Sequence, residues 1–192
     1  MPPKLKGLQH IGPRVRDLEK SLAFYTDVLG FRTVDRFRYD KPYGQRIANN
    51  FVTCSNQHHV INLTQNAPEF WPENPSPPGD SRESNDFGLH HIAFEAEDRE
   101  TFEGWLTHLA AHGIEITGGP VVHSATHPEG DGLPGENRAV YFCDPDGNGI
   151  EIFCDMGLTE DGGAVIEKEW HAARIRRDGY DPEKVPVPTP FL

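Results

Sequence analysis

The chain has 192 residues, 36% of them hydrophobic and 25% charged, with a formal net charge of −12 at pH 7. That size fits one domain or two half-size modules sharing a core, and the composition is that of a globular protein rather than a disordered one. The acidic balance excludes nucleic acid and anionic membrane as expected partners, because both need a basic face. A soluble enzyme with a small ligand fits it better. Cys54, Cys143 and Cys154 are an odd, scattered set, which reads as reduced thiols in the cytoplasm rather than a disulfide framework. Residues 1–6 lack the apolar stretch of a signal peptide, and no run is long and apolar enough to span a membrane.

In chain order, residues 5–15 predict a strand. Asp17 then caps a helix over 18–29, in which Leu18, Leu22, Tyr25 and Leu29 keep helical spacing, and Gly30 stands where a C-terminal cap belongs. Residues 31–39, 46–53 and 59–64 predict three short strands. The connector 66–87 is rich in proline and polar residues, carries Phe70 and Trp71, and reads as a surface linker. Residues 88–96 predict a strand. Asp98 caps a helix through Phe102, Trp105, Leu106, Leu109 and Ala110, closed by Gly113. Strands follow over 114–122, 137–143 and 149–154, the last two joined by the turn Asp144-Pro145-Asp146-Gly147-Asn148. Beyond Met156 the pattern changes to a charged helix over 164–177 and a proline-rich extended end over 182–192. This tail has three available roles: covering a pocket, clasping a second subunit, or hanging free.

The order β-α-β-β-β thus occurs twice, and a phrase repeats with it: Leu8-Gln9-His10-Ile11-Gly12 returns as Leu89-His90-His91-Ile92-Ala93. The expected organisation is a first module at 5–65, a linker at 66–87, a second module at 88–155 and a tail at 156–192. The expected fold is α+β. Two paired β-α-β-β-β modules would form a curled, half-open, eight-stranded, barrel-like sheet around a metal site.

Adjacent strand residues face opposite ways. The repeat aligns His91 with His10, so His91 faces the hollow and His90 faces out. On the last strand Glu151 alternates with Ile150 and Ile152. Isoleucines suit the side beneath the helices, and a glutamate between them is costly to bury without a cation. His10, His91 and Glu151 therefore make a 2-His-1-carboxylate set with open coordination positions, the arrangement of non-heme Fe(II) oxygenases; Mn(II) is the other ion such a set accommodates.

These motifs resemble the vicinal oxygen chelate superfamily (glyoxalase, bleomycin resistance and dioxygenase proteins). Within it the chain is most similar to single-domain type I extradiol ring-cleaving catechol dioxygenases, over about residues 5–155. Gly12 and Ala93 follow the histidines as small residues, and Val140-Tyr141-x-x-Asp144-Pro145-x-Gly147-x-x-x-Glu151 is close to the extradiol signature. The resemblance implies ring cleavage of a catecholic substrate with O2 as co-substrate. In Ser55-Asn56-Gln57-His58-His59-Val60-Ile61 it implies His59 as the acid-base, and strand alternation puts His58 on the opposite face. It also implies that Tyr141 hydrogen-bonds the substrate. The signature's loop histidine is missing at its usual spacing, where Gly132-Leu133-Pro134 stand; His127 is the nearest substitute, with His123 behind it. Exposed sheet edges favour a homodimer or a higher homo-oligomer. Two rival functions share the fold. A glyoxalase-type isomerase or lyase would want a fourth ligand on the first module's last strand, where Ile61 is expected to face in and Asn62 away. A metal-free, drug-sequestering binding module would need no triad.

Overall fold

The repeat seen in the sequence is a repeat of topology. The computed structural model describes residues 8–71, 79–83, 88–160 and 165–189. It divides the chain into two compact units. One runs through Gly79 and includes the turn Asp144–Gly147; the other holds Asp80–Cys143 and the chain from Asn148. The class is α+β with two sheets. No helix among the described residues is long and apolar enough to cross a membrane.

In the first unit, Asp17 caps α1 (Leu18–Ala23) by accepting from the backbone N–H groups of Glu19 and Lys20. A π-helical turn, Phe24–Val28, extends the helix to Gly30, whose φ of +68° suits a left-handed cap. β1 (Arg32–Tyr43), β2 (Arg46–Thr53) and β3 (Ile61–Asn66) form an antiparallel sheet in that order. The strand expected over 5–15 is not continuous. Its first residues lie outside the described ones, and the rest runs parallel to β3 through bridges at Ile11–Ile61 and Arg14–Thr64. Pro13, which has no N–H to give a ladder, stands between the two bridges. One face of this sheet buries Val52, Ile61 and Leu63 with Leu18, Leu22 and Tyr25 of the helix. Truncating a side chain such as Leu63 to alanine there costs about 2–5 kcal/mol. The Asp144–Gly147 turn docks on α1. Asp146 accepts from the Arg16 N–H (2.9 Å) and the Ser21 hydroxyl (2.8 Å), and Tyr25 donates to Asp144.

The second unit repeats this with a full first strand. β4 (His91–Glu95) leads to α2 (Arg99–Ala111), capped by Asp98, and then to β5 (Ile116–His123), β6 (Asn137–Cys143) and β7 (Gly149–Cys154). The sheet order is β4-β7-β6-β5, with β4 parallel to β7 and the other pairs antiparallel. Register puts Ile92, Ile150, Ile152, Val140 and Phe142 on one buried face, against which α2 sets Phe102 and Leu109. The opposite face carries His91, Tyr141 and Glu151.

The tail does not hang free along its whole length. Its helix α3 (Lys168–Arg177) is part of the second unit, with Arg174 and Ile175 buried. Arg174 pairs with Glu136 (3.0 Å) and donates to the Asn137 carbonyl, while Asp178 receives Arg99, His127 (3.0 Å) and Arg138 (3.3 Å). Residues 190–192 lie outside the described ones.

Candidate metal and substrate site

Glu151 is the centre of the site face in the second unit. Its neighbours in register are Ala93 on β4 and Tyr141 on β6. Its carboxylate is buried (6% exposed); Oε1 accepts from Asn137 Nδ2 at 3.2 Å and Oε2 lies 2.9 Å from His91 Nε2. Two ligands in adjacent positions on one ion, each about 2.1 Å from it, stand roughly 3 Å apart. The imidazole and carboxylate therefore already have the separation that a shared Fe(II) or Mn(II) requires, and their N and O donors suit either ion. The His90 and His91 rings also touch, Nδ1 to Nδ1 at 2.6 Å. His90 precedes β4, so the strand alternation expected for this pair does not apply to it.

Tyr141 packs edge-on to His91, with ring centroids 5.9 Å apart, and lies under the Arg82 guanidinium at 4.5 Å. Burial, reinforced by the Glu151 charge, pushes its phenol up to about 12. Its hydroxyl meets His123 Nε2 at 2.9 Å, and His123 Nδ1 meets Asp131 Oδ2 at 2.6 Å. A carboxylate on Nδ1 fixes the proton there, so Nε2 is left to accept from the phenol. Asp131 is itself held by N–H groups of Leu133 and Ser124. The loop returning it is tight: a Cβ on Gly130 would fall 2.3 Å from the Ser124 carbonyl oxygen, closer than any side chain tolerates.

Of the two histidines considered for the loop position, His123 is thus the one brought to Tyr141. His127 goes elsewhere. It is buried, its Nε2 bonds Asp178, its Nδ1 accepts from the Glu129 N–H (3.1 Å), and its ring abuts Tyr180. Burial, reinforced by the Arg174 charge, holds its pKa below the ordinary histidine value.

His10 belongs to the first unit. Its ring lies 4.7 Å from that of His59, and His59 also packs edge-on to Phe51 at 4.7 Å. β3 starts at Ile61, so His58 and His59 sit in the turn before it. The opposite-face expectation fails for that reason: their Nδ1 atoms are 3.0 Å apart. Partial burial, then the neighbouring His10 and His58, lower the His59 pKa. Gln9 bonds both His10 and the His59 carbonyl. The expectation for Ile61 is also corrected. Ile61 is buried in the core, and the shared register (Ile11 with Ile61, Ile92 with Ile150) makes Asn62 the counterpart of Glu151. Its side chain accepts from Asn49 Nδ2 at 2.8 Å. Among the described residues no three His, Cys, Asp or Glu side chains are gathered as a metal cluster.

Comparison with known proteins agrees with this architecture. A catechol-2,3-dioxygenase of Bacillus subtilis (strain 168) is 31% identical over 141 residues, 73% of this chain and 39% of that protein. The chain thus spans about two fifths of the length of that relative. A glyoxalase/dioxygenase structure from Nostoc punctiforme superposes with a TM-score of 0.52 at 27% identity, covering 81% of this chain and 94% of that one. The fosfomycin resistance protein FosX of Listeria monocytogenes, solved with Mn(II) and sulfate, shares the fold at 21% identity and a TM-score of 0.50, covering 79% and 93%. The family model for the Glyoxalase/Bleomycin resistance protein/Dioxygenase superfamily matches residues 7–152. The chain belongs to the glyoxalase/bleomycin resistance protein/dioxygenase superfamily.

Proposed function

We propose that this protein is an extradiol dioxygenase that cleaves the ring of a catecholic substrate with O2 at a divalent metal, Fe(II) or alternatively Mn(II). The observation that carries the reading is the buried Glu151 carboxylate, set 2.9 Å from His91 Nε2 beside the Tyr141–His123 pair. The similarity to a catechol-2,3-dioxygenase supports it. The assigned ligands are His10, His91 and Glu151. The ion, when bound, acts as a Lewis acid on the substrate hydroxyls and provides the redox partner for O2.

The chain's own residues would do the rest. Asn137 holds one Glu151 oxygen and so fixes the carboxylate's orientation. The Tyr141 hydroxyl, protonated across the neutral range, offers a hydrogen-bond donor to substrate oxygen when it turns from His123. His123, held by Asp131, then receives or returns the phenol's hydrogen bond without changing tautomer. His59, whose lowered pKa keeps the imidazole neutral at pH 7, accepts a substrate hydroxyl proton at a ring nitrogen and returns it later in the cycle. His127 is reassigned from the chemistry to the framework by its bond to Asp178.

The four-ligand isomerase or lyase reading is disfavoured by Asn62. It holds the place of a fourth ligand but offers a neutral amide already engaged by Asn49. The test is O2 uptake by anaerobically Fe(II)-loaded protein across a panel of catechols, with absorbance followed for a yellow ring-opened product. Uptake with colour supports the reading; a bound metal without uptake on any catechol moves the weight to isomerase or lyase chemistry.

A further inference from the structure

The first unit carries a cationic cleft that the dioxygenase reading does not use. One part is a cavity of about 240 Å³ lined by Arg14, Arg16, Asp146, Phe70 and Trp71. A second, more open part of about 590 Å³ shares Arg14, Gln45 and Asn66 with the first and adds Arg46, Asn62 and Thr64. The two parts differ in character. Phe70 and Trp71 are 45% and 37% exposed, and the indole is fixed by its N–H to the Asn66 carbonyl at 3.1 Å. They form a standing aromatic wall. The other end is polar and positive. Three arginines face one aspartate there, on a chain whose net charge is −12.

The arginines are not equivalent. Arg16 is tied to Asp146, its guanidinium 3.5 Å from the carboxylate. Arg14 makes no hydrogen bond or ion pair with its side chain among the described residues. A guanidinium with no partner among the described residues, beside an aromatic wall, matches one ligand chemistry well: a planar carboxylate, taken bidentately, on a flat ring that lies against Phe70 and Trp71. The part beside the aromatic wall, about 240 Å³, admits a single aromatic ring with its acid group.

We infer that the first unit binds an aromatic carboxylate, with Arg14 as the anion's partner and Phe70 and Trp71 as the ring's support. The inference deepens the proposed function and rests on it for one point only. Gly12 and Arg14 both line the cleft on the segment that pairs with β3, and four residues of extended chain, about 13 Å, separate Arg14 from His10. If His10 is a metal ligand, the cleft engages an acidic substituent remote from the diol, and the substrate is a catechol bearing a carboxylate.

The test uses the metal-free 192-residue chain and a ligand with no diol, so it stands apart from the oxygen chemistry. Benzoate and neutral benzamide are titrated while two-dimensional NMR follows the Trp71 Nε1–H and Arg14 Nε–H signals. Benzoate is expected to shift both signals and to bind about tenfold more tightly than benzamide, a ratio worth about 1.4 kcal/mol. Arg14→Gln, at an exposed side chain, should erase that ratio, and Trp71→Ala should weaken both ligands. Equal affinity for the two ligands, an unchanged ratio in Arg14→Gln, or no shift at the solubility limit of benzoate overturns the inference. Benzoate binding in a protein that consumes no O2 with any catechol overturns the dioxygenase reading and leaves the cleft assigned.

Discussion

The two units share a topology and differ in their chemistry. In each, the first segment runs parallel to the last strand and two antiparallel strands complete the sheet. In register, His91 answers to His10, Glu151 to Asn62, and Tyr141 to Phe51. A buried carboxylate in one unit is thus a neutral amide in the other, and a phenol is a plain ring. The amide can be satisfied by local partners, and is, through Asn49, which also bonds Thr64 at 2.7 Å. The carboxylate needs positive charge or several donors, because a buried unpaired charge costs several kcal/mol. Repeating a fold therefore preserves the backbone positions of the site while leaving each side chain to be set by its own neighbours.

The sharpest way to break this comparison is to exchange its poles. Glu151→Gln should lower kcat/KM at least about a thousandfold, roughly 4 kcal/mol of transition-state stabilisation, while Asn62→Ala stays within about threefold. Steady-state O2 consumption checks both. Equal losses would mean that the two positions are equally catalytic and that the asymmetry is only chemical appearance.

The second unit also differs in having α3 tied to it by buried charge. Asp178, with a side chain 1% exposed, holds Arg99, His127 and Arg138 at once. Asp178→Asn should cost about 3 kcal/mol in urea unfolding, because it removes the buried carboxylate that the partly exposed Arg99 and Arg138 guanidiniums and the His127 ring share. A loss under about 1 kcal/mol would show that the network contributes little to stability.

Next in size come the residues behind Tyr141, which have no counterpart role in the first unit. His123→Ala should lower kcat on the order of a hundredfold and Asp131→Asn about tenfold, with KM nearly unchanged, as expected when the partner that positions the Tyr141 hydroxyl, or that partner's own orienter, is lost. His127→Phe should leave kcat within a few-fold and show its effect in stability. A large kcat loss in His127→Phe together with a normal His123→Ala would reverse the assignment made from the geometry.

The smallest effect is one of pH. Burial, and then the Arg174 charge, lower the pKa values of both His127 and His171, so the folded state holds these rings neutral where the unfolded chain begins to protonate them. The unfolded state then binds more protons, and stability should rise with pH through the unfolded histidine value of about 6.5 and be lost as pH falls below it. Urea midpoints between pH 5 and pH 8 measure this. A flat profile would mean that the two rings do not enter the α3 contact as neutral groups.

Much of this site is legible in sequence because period and repeat act together. His10 and His91 stand at the same step of two copies, and Glu151 alternates with Ile150 and Ile152, which are buried on the far face. Asp17 and Asp98 mark both helix starts by capping. What was not legible depends on where strands begin. Period 2 failed for His58 and His59 because they precede β3, and it misplaced Asn62 for the same reason. The Asp131–His123–Tyr141 chain needs β5's irregular register on β6 and the tight return at Gly130. Neither leaves a mark in local composition. α3's place was open because its buried residues, His171, Arg174 and Ile175, are mostly polar, and their partners lie far off in sequence at Glu136 and Asn137.

The most direct measurement is the binding of Mn(II), as an air-stable and EPR-visible probe, to metal-free wild type and to His10→Ala, His91→Ala, Glu151→Gln and Asn62→Ala. The account predicts one ion per chain, held in the wild type and in Asn62→Ala and lost, or weakened at least about a hundredfold, in the other three. Full-strength binding in Glu151→Gln or in His10→Ala would contradict the ligand set on which the proposed chemistry depends.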